Sequence, residues 1–155
     1  MKSFTTILAA IDFSENSDYA FNLAVTVTTA FNSSLVVLHV IDNVVYEGGF
    51  YMPYPSIDPY SSINIVSLEK ELEESATAMM ARFCESRLAG FSNYTSSIEI
   101  GTPFREIIRM ADKTAASMIV LGTHGRSGLD RLVFGSTAER VVRGAHCSVL
   151  TVPMP

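Results

Sequence analysis

Cysteine is scarce. Cys84 and Cys147 are the only two in 155 residues, and they form no C-x-x-C pair. That spacing argues against a disulfide framework and suits reduced, partly buried thiols of a cytoplasmic protein. Charged residues are also few, 17% against 48% hydrophobic ones, which excludes a disordered or coiled-coil chain. No apolar run approaches the roughly 20 residues of a membrane span, so no membrane partner is expected. The opening MKSFTTILAAID mimics a signal peptide, but threonines interrupt its apolar part and Asp12 stops it, so a first strand is expected. A net charge of -5 and a pI near 5.1 set the overall field against nucleic acid. Also missing are the G-x-x-x-x-G-K-[ST] loop, a G-x-G-x-x-G after the first strand, H-E-x-x-H and G-x-S-x-G.

What is present is an alternation of short apolar runs and amphipathic stretches. FTTILAAI (4–11) and LVVLHVI (35–41) predict buried strands, and a segment near 94–100, SMIVLG (117–122) and CSVLTV (147–152) predict three more strands. Ser14 is placed to cap a first helix with Ala20, Leu23, Ala24, Val27 and Phe31 as its apolar stripe. Leu68, Leu72, Ala76, Met79 and Phe83 mark a second helix. Thr102-Pro103 opens a third, with Phe104, Ile107, Ile108, Ala111 and Ala115 inward, and STAERVVRG (136–144) is a fourth. The pattern predicts an α/β fold, an open three-layer sandwich with about five parallel strands, in one domain spanning 1–155. Its interruption is residues 42–62, a long loop insertion holding four of six tyrosines and three of six prolines. Loops of that length are functional or mobile, and a docking surface for a protein partner is one reading.

The glycines concentrate elsewhere. Gly122, Gly125, Gly128 and Gly135 are four of the nine in the chain, with Arg126 and Arg131 between them. Residues 123–143 hold four arginines against Asp130 and Glu139, a local positive excess in an acidic protein. Gly122 is expected at the carboxyl end of the fourth strand, where ligands of open parallel sheets bind. Gly135-Ser136 then opens a helix, whose first N–H groups and partial positive charge suit a phosphate. A ligand-free account also exists, because Ser136 and Glu139 spell an S-x-x-E capping box. His39, His124 and His146 are too dispersed to support a metal site.

The spacing Gly122-x2-Gly125-x9-Gly135-Ser136 resembles the G-x2-G-x9-G-[ST] motif of the ATP-binding branch of the universal stress protein family. ILAAIDFSENSDYA, LVVLHVID and GTHGRSGLDRLVFGSTAERVVRGAHCSVLTVP extend the likeness over nearly the whole chain. The resemblance implies an adenine nucleotide α-hydrolase-like, Rossmann-like fold and an ATP site. Ala10 and Asp12 match positions contacting adenosine, and Val40 one whose main chain meets the adenine edge. Leu121 and Gly122 flank the nucleotide, while Gly125, Gly135, Ser136 and Thr137 match the phosphate contacts. Ala10 stands where proline is frequent in the family, and Thr137 where valine is. Mg2+ (or Mn2+) would arrive with the triphosphate, and a homodimer through the last strand is implied. No residue is assignable as a water-activating base, so a regulatory, stress-response nucleotide-binding protein is expected, with at most weak hydrolysis. A slow ATPase or phosphotransferase using the same pocket, and a nucleotide-independent interaction module, stay open.

Overall fold

The computed structural model describes residues 4–42, 65–124 and 134–155. Strand and helix alternate along them: β1 (Thr6–Ile11), α1 (Glu15–Phe31), β2 (Ser34–Asp42), α2 (Ile65–Arg87), β3 (Tyr94–Gly101), α3 (Pro103–Lys113), β4 (Met118–Gly122), α4 (Ser136–Gly144) and β5 (Ser148–Val152). The five strands make one parallel sheet in the order β3-β2-β1-β4-β5. Parallel strands need crossovers, and each helix supplies one, so the sheet is covered on both faces as the alternation predicts. The 42–62 insertion lies outside the described residues beyond Asp42.

Period-two alternation along the strands feeds two separate cores. Ile7, Ala9 and Ile11 on one face pack with Leu35 and Val37 under Ala20, Phe21 and Ala24 of α1 and Met80 and Cys84 of α2. Leu8, Val36, Leu38, Ile119 and Leu121 point the other way, under Ile107, Met110 and Ala111 of α3 and Ala138 and Val141 of α4. Three expected stripes are inward at some positions and displaced at others. In α1 the buried set is Ala20, Phe21, Ala24 and Thr28, while Phe31 is 55% exposed. In α2 the sequence Ala76, Met80, Cys84 turns inward, leaving Leu72 and Met79 over a third exposed. In α3 Met110 replaces Ala115, which falls after the helix with a positive φ of 49°.

The helix starts differ in one respect that bears on the site. Ser14 caps α1, its hydroxyl accepting from the Ser17 N–H at 3.2 Å. The N-cap of α4 is Gly135 rather than Ser136, and no side chain bonds the first turn. The capping box read from the sequence therefore does not form. At α3, Thr102 occupies the cap position, again without a side-chain bond, and Pro103 follows. Ser14→Ala should accordingly lower stability by about 1 kcal/mol, whereas Ser136→Ala should leave the urea midpoint nearly unchanged. Equal losses in the two variants would contradict this assignment of caps.

Candidate functional site

The central strand stops short of its neighbours. The last β1 pairings are Ile11 with His39 on β2 and Ala10 with Leu121 on β4. Beyond them Val40, Ile41 and Asp42 pair only with β3, and Gly122 only with Val152 of β5. The chain winds outward in opposite directions from β1, so a crevice opens at the carboxyl ends where the order reverses. A cavity of about 640 Å³ occupies it, within the roughly 300–1,000 Å³ usual for small-molecule sites.

Eight residues singled out in the sequence reach this one cavity. Ala10 and Asp12 come from the end of β1, Val40 from β2, and Leu121 and Gly122 from β4. Gly135, Ser136 and Thr137 bring the start of α4. Gly125, like Arg126 and Arg131, lies outside the described residues. The sequence reading missed a further wall. Leu72, Ala76 and Met79 of α2 line the cavity, as do His39 and Phe13. The helical spacing of the first three was legible, but it read as core.

Asp12 is held by its own turn. Its carboxylate accepts the Ser14 N–H at 2.9 Å, and its N–H donates to Ser17 Oγ at 3.3 Å. The chain leaves β1 through Phe13 at a φ of 61°, a left-handed conformation that bulky residues seldom adopt. Ring packing offsets that strain: Phe13 lies 4.5 Å from His39 and 5.8 Å from Phe83 between centroids. His39 is buried, and its Nδ1 sits 2.9 Å from the Ile11 carbonyl. A carbonyl only accepts, so Nδ1 carries the proton.

Gly122 and Gly135 are small for reasons the sequence did not reveal. A Cβ at Gly122 would come within 2.5 Å of Asn16 Oδ1. Asn16, 3% exposed on α1, donates through Nδ2 to the Val152 carbonyl at 3.0 Å and accepts the His124 N–H at 2.8 Å. The same Val152 carbonyl accepts the Thr123 N–H at 3.0 Å. A Cβ at Gly135 would meet the Thr123 carbonyl at 2.9 Å, and the Gly135 N–H donates to that oxygen at 2.7 Å. The two ends of the glycine-rich segment are thus tied together at Thr123 and Gly135, and both are tied through Asn16 and Val152 to α1 and β5.

Among the described residues the site has neither an activated thiol nor an acidic cage. Burial pushes the Cys84 thiol up, and burial with the nearby Asp112 charge does the same at Cys147. Among the described residues no group of three His, Cys, Asp or Glu side chains could hold a metal ion. Asp12 and Asp42 are the described carboxylates on the cavity wall. No described helix is long and apolar enough to cross a membrane. Because Asn16 fills the space above Gly122, Gly122→Ala should destabilise by about 1–3 kcal/mol, and by clearly less in an Asn16→Ala background. Chemical denaturation of the four proteins checks this, and strict additivity would contradict it.

The family model described as the universal stress protein family matches residues 3–153. Universal stress protein A homolog 1 of Coxiella burnetii is 36% identical over 151 residues, covering 96% of this chain and 95% of that one. A universal stress protein of Methanocaldococcus jannaschii is 31% identical over 153 residues, covering 98% and 84%. In solved structures, the universal stress protein UspA from Lactobacillus plantarum superposes with a TM-score of 0.76 at 26% identity, covering 98% and 99%. On the family match along nearly its whole length, on these relatives and on the shared fold, the chain belongs to the universal stress protein family.

Proposed function

We propose that the crevice binds ATP and that occupancy, rather than turnover, is the protein's working signal in a stress response. One observation carries this reading: residues from three strand ends and one helix start, far apart in sequence, line a single cavity at the reversal of strand order. Two neighbours add support. A universal stress protein solved in complex with cAMP shares the fold at a TM-score of 0.58, and one from Archaeoglobus fulgidus in complex with dAMP at 0.56. In each of those proteins the ligand is an adenine nucleotide.

In this reading the adenine edge meets main-chain groups near Val40, where β2 has outrun β1. The Asp12 carboxylate, already oriented by the Ser14 N–H, is the acceptor for ribose hydroxyls. Leu121 and Gly122 flank the nucleotide. The phosphates lie against Gly135, Ser136 and Thr137, where the helix start has no side-chain cap competing for its N–H groups, with Gly125 nearby in the motif. A helix end contributes roughly 0.3–2 kcal/mol, against about 8 for micromolar binding. The apolar wall from Leu72, Ala76 and Met79 supplies the burial that the helix end cannot. With no acidic cluster among the described residues, Mg2+ or Mn2+ would be carried by the phosphate oxygens. No described side chain stands as a base for water, so turnover faster than slow leakage is not expected.

Two further elements belong to this reading. The edge strand β5 has Val149, Leu150, Thr151 and Val152 only half-buried, which suits pairing with a second copy. The protein acts in the cytoplasm, where ATP is abundant, and the tyrosine-rich 42–62 segment is a docking surface for a protein partner. Calorimetric titration with Mg-ATP should give a micromolar dissociation constant, weakened about tenfold or more by Asp12→Asn and lost in Gly135→Val. Absence of heat and of any nucleotide released on denaturing fresh protein would sink the proposal. Sedimentation at micromolar protein should give a dimer, and a lone monomer would remove the β5 pairing.

A further inference from the structure

Of the six described arginines, three sit beside a carboxylate, and Arg82, Arg105 and Arg140 do not. Arg87 meets Asp18 at 2.6 Å, Arg143 meets Glu139 at 3.0 Å, and Arg109 meets Glu99 at 2.6 Å and Glu106 at 2.7 Å. Arg105 and Arg140 have no ion pair among the described residues. Instead both are gathered on one half-buried ring, their guanidinium carbons 5.7 and 5.1 Å from the Phe104 centroid. A ring face attracts a cation, but two like charges brought to one ring repel each other. An anion between them turns that repulsion into two attractions.

Phe104, Arg105 and Arg140 adjoin residues of the cavity wall in sequence and packing without being part of it. Phe104 follows Pro103, a cavity wall residue, and packs on the cluster containing Ile107 and Ala138, which also line it. Arg140 lies one turn beyond Ser136, and helical side chains lean toward the N-terminal end, so its guanidinium is carried back toward the cavity. We propose that Arg105 and Arg140, laid on Phe104, form an outer anion clamp that takes the distal phosphates of a polyphosphate ligand. The clamp rests on the nucleotide reading of the cavity and deepens it. It makes the site select for tail length, favouring nucleoside triphosphates over monophosphates. Planar guanidinium forks suit phosphate oxygens, and a lysine would keep the charge without the ring stacking.

The full chain tests this with AMP, ATP and inorganic tripolyphosphate. Arg105→Gln and Arg140→Gln change exposed side chains, so folding should persist. Each should weaken ATP roughly tenfold or more, as loss of a charge-assisted bond does, while AMP affinity stays within about twofold. Arg140→Lys should fall between. Equal losses for AMP and ATP, or none for either, overturn the clamp. If the parent protein binds neither nucleotide, the reading of the cavity fails by itself. Tripolyphosphate then decides the clamp: shifts of the Arg105 and Arg140 side-chain NH signals support it, and their absence overturns it.

Discussion

The structure depends on one mismatch of length: β1 ends before the strands that flank it. Had Ile11 been followed by more strand, β2 and β4 would stay paired with it and the crevice would close. Instead Asp12 and Phe13 turn the chain out, Ser14 caps α1, and Val40 and Gly122 are left to pair on their outer sides only. The buried stretch of β1, Ile7 to Ile11, supplies side chains to both cores, so the strand that creates the opening also anchors the sheet. Stability and the site thus share the same residues.

The described ends of the glycine-rich segment are tied to this frame by hydrogen bonds. Asn16 is the junction, because one buried amide bonds β5 through Val152 and the segment's neck through His124. Gly122 leaves room for that amide, and Gly135 lets the returning chain approach the Thr123 carbonyl. Both glycines therefore serve the neck of the loop, and the open helix start at Gly135 follows from the same close approach. A side chain able to cap α4 would occupy the place where main-chain donors face the cavity.

Much of this was legible in the sequence, because periodicity reports burial and glycines report close approach. All five strands and the α4 bounds followed from apolar runs ended by Asp12, Gly122, Gly144 and Pro153. The exact helix faces did not. In α2, Leu72 and Met79 have the same spacing as core residues, yet they border a cavity that only the strand ends create. Nor could local pattern show that Ser136 is the first helical residue instead of the cap, since S-x-x-E reads identically in both cases. Asn16 was invisible for another reason. Its partners lie 108 and 136 residues away, and nothing local marks them.

Family membership and fold locate the chain among universal stress proteins. The proposal for the crevice goes further: adenosine between the ends of β1 and β2, phosphates toward α4 and the paired arginines beyond it. A crystal grown with excess Mg-ATP is the most direct measurement of that claim. The account predicts density for the nucleotide in the crevice, with phosphate oxygens within hydrogen-bond distance of main-chain nitrogens at Gly135–Thr137 and the base beside Val40. A crevice filled by the protein's own side chains, or nucleotide bound on another face, would contradict it.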